Sequence, residues 1–365
     1  MIKFTDLYKL APDKKTIFKK INFLIKNSQF IGGKEVVNFE REFSKFIGCR
    51  YCISVANGTD ALFLSIKALN LKENSEAIVP ANTWISTAEA VVNSGLKLVF
   101  CDINLEDYSM NLDDLKKKIT KKTRLILPVH LYGNPTDMNG IKKIIKKRNI
   151  KIIEDCAQAH GSTINKKHVG TFGDIGTFSF FPGKNLGCFG DGGAVITNNK
   201  TYFDKITRLR NHGAKGKYDH KFSGYNSRLD SIQAAILRIK LKHYKKVLKK
   251  REELAKIYMK KLKEIKQIKM FQLKKNFNTS YHQFVIRTNQ RKDLQKYLHN
   301  KKIQTMIHYP YMLNELNFFK YKKKIINSHK LGDKILSLPI SEEHNKKQIL
   351  FISKQIINFF KLKFN

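Results

Sequence analysis

The chain has 365 residues, 42% of them hydrophobic, which allows a substantial core and suits about two domains. Its formal net charge of +40 would suit a nucleic-acid-binding protein, but lysine far outnumbers arginine and is spread along the whole chain, so no dedicated nucleic-acid surface is expected. No apolar run is long enough for a membrane-spanning helix, and the N-terminus lacks the apolar stretch of a signal peptide, so the cytoplasm is the expected compartment.

The cysteines predict neither a disulfide framework nor a metal centre. There are five of them, an odd and sparse set for a chain of this length. Cys49 and Cys52 form a C-x-x-C pair, but neither a second pair nor histidines at ligand spacing accompany it. We therefore interpret them as small buried apolar residues at the start of a strand and expect no metal.

Short apolar runs alternate with helix-like segments over the first 240 residues. This alternation predicts an α/β domain with a largely parallel sheet, helices on both faces and a ligand site at the carboxyl ends of the strands. The predicted strands lie in CISVAN, EAIVPAN, LKLVFCDI, RLILPVHL, IKIIEDC, FSFF and GAVITN.

A long amphipathic helix is predicted from about residue 229, where the stretch LDSIQAAILRIKLKHYKKVLKK begins. It leads into a smaller α+β region and a terminal helix over NKKQILFISKQIINFFKLK. We therefore predict two domains, a large one over residues 1–240 and a small one over residues 241–365.

Two features at the first strand ends suit a phosphate and a flat ring. Gly58 and Thr59 open a helix with free backbone N–H groups and a hydroxyl, an arrangement that binds phosphate, although they could also serve only as turn and cap residues. Trp84 is the only tryptophan and follows the next strand, where it could stack on a planar ligand or pack in the core.

An acid ends the strand IKIIED. This strand would deliver Asp155 to the carboxyl edge of the sheet, where a buried acid needs a partner. A carboxylate in that place can keep a heteroaromatic nitrogen protonated. Gln158 lies one helical turn further on, and His160 is either a further orienting group or a packed histidine.

Lys184 follows the strand in GTFSFFPGKNLG. Pro182 and Gly183 predict a turn that lifts its amine out of the sheet, and the glycines that follow let the backbone approach a ligand closely. Partial burial among other cations would lower the pKa of Lys184 and favour its use as a nucleophile. A phosphate cradle, a stacking ring, a buried acid and a strand-end lysine are together the parts that pyridoxal phosphate needs.

These segments resemble the DegT/DnrJ/StrS sugar aminotransferases, which are fold type I pyridoxal-phosphate enzymes. The resemblance implies an aspartate aminotransferase-like fold, with a mostly parallel mixed sheet flanked by helices in the large domain and a small C-terminal α+β domain. It also implies an obligate homodimer with shared active sites. It runs over nearly the whole chain and rests on VANGTDAL, LPVHLYGNPTDM, IIEDCAQAHG, GDIGTFSFFPGKNLG, GDGGAVITN, LRNHGAKGKY, GYNSRLDSIQAAIL and IHYP.

The resemblance implies a role for individual residues at the cofactor. Lys184 would bind the cofactor covalently and then move the proton between cofactor and substrate carbons, and Asp155 would pair with the pyridine nitrogen. Gln158 would hydrogen-bond the phenolic oxygen of the ring, and Trp84 would stack on the ring face. The phosphate would be held by Gly58, Thr59 and Ser179, together with Asn226 of the partner subunit.

The implied reaction moves an amino group from L-glutamate, by way of pyridoxamine phosphate, to a nucleotide-linked keto sugar. The motifs most resemble the branch that converts dTDP-3-keto-6-deoxyhexoses to dTDP-3-amino-3,6-dideoxyhexoses, deoxyamino sugars of the kind used in lipopolysaccharide O-antigens. A UDP-4-keto-sugar aminotransferase and a dehydratase using the same cofactor are the alternatives, and the intact Lys184 favours transamination over dehydration. The residues that would contact the sugar or its diphosphate are Lys217, Tyr218, His308 and Tyr309.

Overall fold

One central sheet of seven strands organises the first 200 residues of the computed structural model, which describes residues 1–319, 321 and 325–364. The strands are β1 (Tyr51–Val55), β2 (Glu76–Pro80), β3 (Lys97–Cys101), β4 (Thr123–Ile126), β5 (Lys151–Asp155), β6 (Thr163–Ile164), β7 (Lys167–His168), β8 (Ile175–Ser179), β9 (Gly193–Thr197), β10 (Lys269–Met270), β11 (Phe277–Asn278), β12 (Phe284–Arg287) and β13 (Ile335–Leu338). The helices are α1 (Lys14–Lys26), α2 (Gly33–Ile47), α3 (Gly58–Leu69), α4 (Ser86–Asn93), α5 (Leu112–Lys118), α6 (Met138–Ile145), α7 (Lys200–Leu209), α8 (Ser231–Leu262), α9 (Arg291–Asn300), α10 (Ile326–His329) and α11 (Lys346–Phe364).

The strands of the central sheet follow the order β1-β9-β8-β5-β4-β2-β3. Every neighbouring pair from β8 to β3 is parallel, whereas β9 runs antiparallel to both β1 and β8. The prediction of an α/β fold with a mostly parallel sheet is therefore confirmed. Parallel pairing brings the carboxyl ends of β2, β4, β5 and β8 to one edge of the sheet, which is where such folds place their ligands.

Helix α3 starts at that edge. The side chain of Asn57 caps it by accepting a hydrogen bond from the N–H of Asp60 at 2.8 Å. Its Leu62 and Leu64 are buried in the core, and burying each such side chain stabilises the fold by about 1.5–3 kcal/mol. The helix start is therefore fixed both by its cap and by packing against β8 and β9.

A second, antiparallel sheet of the order β10-β12-β13 lies in the C-terminal part of the chain. Helices α9 and α11 contact each other there, and the apolar core includes Phe284, Leu336 and Ile352. A further small sheet pairs β11, β6 and β7.

Helix α8 is continuous over 32 residues and joins the two parts of the chain, as the sequence predicts, and α11 confirms the predicted terminal helix. The predicted domain boundary at residue 240 falls within α8 and stays a prediction. Among the described residues, no helix combines the length and the apolar character that crossing a membrane would require.

Candidate active site

Asp155 stands at the carboxyl end of β5 and is buried. Its Oδ2 accepts a hydrogen bond from Thr87 Oγ1 at 2.8 Å, and its Oδ1 accepts one from the backbone N–H of Ala157 at 3.1 Å. Its carbonyl oxygen also accepts the N–H of His130 at 3.0 Å, which ties the strand end to the chain after β4. The carboxylate is therefore held in one orientation at the sheet edge.

Lys184 lies in the turn after β8, with its side chain partly buried. Burial lowers the pKa of its amine from 10.5 to about 8, while the negative charge of Asp155 acts in the opposite direction. The structure thus brings Lys184 and Asp155 close enough for their charges to interact, as the sequence predicts. At neutral pH a fraction of the Lys184 amine is uncharged and can act as a nucleophile or a base.

The turn that carries Lys184 is closed by the backbone. The Lys184 N–H donates to the Phe181 carbonyl at 2.8 Å, and a Cβ at Gly187 would lie 2.5 Å from the Pro182 carbonyl oxygen. Only glycine therefore fits at position 187. The buried Lys240 of α8 also donates a hydrogen bond to the Gly187 carbonyl oxygen at 2.6 Å, so the turn is fixed to that helix as well.

The start of α3 lies against the end of β8. The N–H groups of Gly58 and Thr59 are in the first helical turn and have no carbonyl one turn back to bind. A Cβ at Gly58 would lie 2.6 Å from Ser179 Cβ, so this close approach requires glycine. Thr59 Oγ1 also lies 2.7 Å from Ser86 Oγ. Hydroxyls and free N–H groups therefore converge here, as a phosphate site requires.

Trp84 and Gln158 meet at Tyr309. Trp84 is 56% exposed, which excludes core packing, and its ring centroid lies 5.5 Å from that of Tyr309. Gln158 Nε2 donates to the Tyr309 hydroxyl at 2.9 Å, while Gln158 Oε1 accepts the Tyr132 N–H at 2.7 Å. Burial raises the pKa of Tyr309, so its hydroxyl keeps its proton. Trp84 and Gln158, the two residues predicted to contact the cofactor ring, thus lie next to Tyr309, which was predicted to contact the substrate.

His308 is fixed on the same side. Its carbonyl oxygen accepts a hydrogen bond from the Tyr132 hydroxyl, and its Nδ1 lies 2.8 Å from Ser337 Oγ. Burial and the charge of Lys184 lower the pKa of His308 to about 4, so the imidazole is neutral at physiological pH.

Lys217, Tyr218 and Asn226 lie on the surface between α7 and α8. All three side chains are exposed, Tyr218 by 82%, and the Lys217 amine lies 5.3 Å from the Tyr218 ring centroid. They are not among the side chains gathered around Lys184 in the part of the chain that the structure describes. Their predicted contacts with phosphate and sugar stay predictions.

A second buried polar cluster lies behind Asp155. One ligand-type atom from each of His130, Glu154 and Cys156 lies within 4.8 Å of the others. Glu154 accepts hydrogen bonds from His130 Nε2 and from three backbone N–H groups of residues 170–173, while His130 Nδ1 accepts the N–H of Thr136. Because both imidazole nitrogens and both carboxylate oxygens are already used, this cluster secures the end of β5.

Four residues at the site were not predicted from the sequence: Thr87, Tyr132, Asn185 and His282. Thr87 is three residues after Trp84, at the start of α4, and Asn185 directly follows Lys184. The closeness of Thr87 to Trp84 and of Asn185 to Lys184 in the sequence is the signal that could have identified them as site residues. Tyr132 lies in LPVHLYGNPTDM, one of the segments that carry the resemblance, but no role was predicted for it, and His282 lies far from Lys184 in the sequence and gave no signal.

The profile of the DegT/DnrJ/EryC1/StrS aminotransferase family matches residues 12–356. The chain belongs to this family. A dTDP-3-amino-3,6-dideoxy-alpha-D-galactopyranose transaminase of Aneurinibacillus thermoaerophilus is 39% identical, with 96% of this chain and 97% of that protein covered. A UDP-N-acetyl-3-dehydro-alpha-D-glucosamine 3-aminotransferase of Acidithiobacillus ferrooxidans is 38% identical, with 95% of this chain and 94% of that protein covered.

A crystal structure of S. venezuelae DesV in complex with a ketimine intermediate superposes with a TM-score of 0.95 at 32% identity, covering 98% of both chains. The predicted family and fold are therefore confirmed. The chain is a sugar aminotransferase that depends on pyridoxal phosphate, as the sequence predicts.

The described residues fit this cofactor. A buried carboxylate and an amine whose pKa lies near neutrality stand at the same sheet edge. Gly58 lies so close to Ser179 that a Cβ would fill the space between them. The first-turn N–H groups of α3 therefore lie next to the hydroxyls of Thr59 and Ser179. These are donors of the kind that a phosphorylated pyridine ring requires.

Proposed function

We propose that this aminotransferase moves the amino group of L-glutamate to C3 of a nucleotide-linked keto sugar, with dTDP-3-keto-6-deoxyhexose as substrate and dTDP-3-amino-3,6-dideoxyhexose as product. The observation that carries the reaction type is the Lys184 amine, with its pKa lowered to about 8, beside Asp155. The names of both relatives specify the 3-position, which supports C3. One names a dTDP sugar and the other a UDP sugar, so a UDP-linked substrate is the alternative.

Pyridoxal phosphate, when bound, supplies an electron sink for the negative charge that develops on the substrate carbon. Asp155 would hold the proton on the ring nitrogen, and its two hydrogen bonds keep the carboxylate aimed at that position. Trp84 would cover the ring face, and Gln158 has one amide hydrogen bonded to Tyr309 and a second that is available to the ring oxygen.

The Lys184 amine would act as base and then as acid, moving the proton between the reacting carbons of substrate and cofactor. This requires an amine that is neutral part of the time, and burial provides it by lowering the pKa to about 8. The turn closed at Phe181 and Gly187 keeps the amine within reach. Gly58, Thr59 and Ser179 would bind the phosphate, and His308 and Tyr309 would face the sugar.

A second copy of this chain would complete the site. Trp84, Phe181 and Tyr225 are large aromatic residues that are 39–56% exposed, and exposed apolar surface of this kind marks interfaces. The exposed Asn226 follows Tyr225 and would reach the phosphate from the partner subunit, and Lys217 and Tyr218 would reach the substrate. A cytoplasmic location and a product destined for a lipopolysaccharide O-antigen are further parts of this proposal.

The substrate is tested by incubating the holoenzyme with L-glutamate and a panel of 3-keto and 4-keto sugars linked to dTDP and UDP. We expect 2-oxoglutarate and an amino sugar whose nitrogen NMR places at C3, with the dTDP-linked 3-keto-6-deoxyhexose turned over fastest. A nitrogen-free product with no glutamate consumed would establish a dehydratase. Amination at C4 would overturn the proposed position.

The shared site is tested by mixing two inactive variants. Dimers of Lys184→Ala with Asn226→Ala contain one site with both residues intact, so unfolding and refolding the mixture should restore activity that neither variant has alone. Failure to restore activity, with heterodimers present by mass, would contradict a site shared between subunits.

A further inference from the structure

Asn185, which directly follows Lys184, connects the lysine turn to the segment before β12. Its side chain is 3% exposed. Nδ2 donates to the Ser280 carbonyl oxygen at 2.9 Å, and Oδ1 lies 2.9 Å from His282 Nδ1. The amide therefore contacts two groups of one short segment at once.

These two contacts fix where the proton of His282 lies. An amide oxygen only accepts hydrogen bonds, so His282 Nδ1 must carry a hydrogen and donate it to Asn185 Oδ1. Rotating the amide by 180° would set its oxygen against the Ser280 carbonyl oxygen, which is also only an acceptor. Since the neutral imidazole has one N–H, His282 Nε2 is left with its lone pair.

Basic groups from several elements act on His282. It is 8% exposed, and the groups that act on it are Lys184 of the turn, Arg251 of α8, His308 and His160. Burial, followed by the charge of Lys184, lowers the pKa of His282 well below its usual value. The nearby carboxylate of Glu342 is paired with Arg251 at 3.0 Å.

We propose that Asn185 is a positioning residue that fixes the proton of the neutral His282 ring on Nδ1, so that Nε2 is an uncharged hydrogen-bond acceptor next to the turn that carries Lys184. This inference rests on the role proposed for Lys184. A neutral amide at position 185 satisfies His282 without charging it. An aspartate in the same place would pair with the ring and stabilise the imidazolium, which would add a cation next to Lys184.

The protonation state is measured directly by nitrogen NMR of the holoenzyme labelled with ¹⁵N-histidine, with the His282 signals assigned by their loss in His282→Gln. We expect a protonated Nδ1 and an unprotonated Nε2, with no titration between about pH 5 and 8. A protonated Nε2, or titration of the wild-type ring within this range, would overturn the proposal. This readout does not depend on which sugar the enzyme accepts.

The role of Asn185 is tested with Asn185→Asp, in which His282 should titrate between about pH 5 and 8. The uncharged control Asn185→Leu loses both contacts. Its His282 should stay neutral because the burial and the neighbouring cations are unchanged, but its proton should no longer be confined to Nδ1, and a ring that keeps Nδ1 protonated as in the wild type would contradict the positioning role. If His282 stays neutral in Asn185→Asp as well, the residue does not control the charge of the ring.

The effect on Lys184 is read from the pH midpoint of the visible absorbance of the bound cofactor. The added carboxylate of Asn185→Asp stabilises a nearby cation, whereas an imidazolium at His282 opposes it. The double variant Asn185→Asp/His282→Gln should therefore have a higher midpoint than Asn185→Asp alone. Equal midpoints would show that His282 carries no charge that reaches Lys184, and would overturn this part of the inference.

Discussion

Replacing Thr87 by valine should slow the reaction while the protein stays folded. Thr87 Oγ1 donates to Asp155 Oδ2 at 2.8 Å and both residues are buried, so water cannot replace the lost donor easily. A hydrogen bond to a charged group contributes about 1.5–3 kcal/mol. If the transition state loses all of it, kcat falls roughly 10- to 150-fold, because each 1.4 kcal/mol of barrier is about a factor of ten.

The assay is steady-state kcat of the cofactor-loaded enzyme, with loading checked by visible absorbance. The matched control is Thr83→Val, since Thr83 Oγ1 lies 3.2 Å from Thr87 Oγ1 and Thr87 keeps its bond to Asp155 in that variant. We expect the control to stay near the wild-type kcat. A wild-type kcat in Thr87→Val, or an equal loss in Thr83→Val, would refute the argument that this hydrogen bond orients Asp155.

Gly58→Ala should weaken binding of pyridoxal phosphate and lower the thermal midpoint, because its Cβ would lie 2.6 Å from a neighbouring side-chain carbon, whereas Gly216→Ala adds a Cβ in open space and should change neither. Tyr309→Phe should raise KM by roughly fivefold, because the substrate would lose a hydrogen bond to this hydroxyl, worth about 1 kcal/mol, and the exposed Tyr311→Phe should leave KM unchanged. Competitive acetylation of the cofactor-free chain should show the Lys184 amine reacting with a midpoint near pH 8, because burial disfavours its ammonium form and the amine loses its proton earlier than an ordinary lysine with a pKa of 10.5.

Each of these outcomes can fail in a recognisable way. Cofactor affinity in Gly58→Ala equal to that of the wild type would show that the helix start can move away from β8 without cost. An unchanged KM in Tyr309→Phe would remove the hydroxyl from the substrate site. An acetylation midpoint at Lys184 close to that of exposed lysines would mean that its amine is solvated in the cofactor-free chain.

The central sheet could be predicted from the sequence because its strands are short apolar runs separated by polar helices. Buried parallel strands have no polar face, so Ile152 and Ile153 stand out in the charged sequence around them. The reversed direction of β9 and the order of the strands depend on contacts between distant segments, which the local pattern does not contain.

The residues that react were also predictable, because each follows the end of a strand and parallel strands end at one edge. Asp155 and Lys184 are examples. The residues that hold them were not predictable. His282 is 98 positions after Lys184 and contacts its neighbour Asn185 only through the packing of the C-terminal segment, and Thr87 looks like any polar residue at a helix start. The contact proposed for the exposed Asn226 depends on a second copy of the chain.

The most direct test of the account is to locate the lysine that binds the cofactor. The purified holoenzyme is reduced with borohydride, digested and analysed by peptide mass spectrometry. We predict that the mass of the reduced cofactor lies on Lys184 and that Lys184→Ala carries no label and no activity. A label on another lysine, such as the buried Lys240 below the turn, or full activity in Lys184→Ala, would contradict the account.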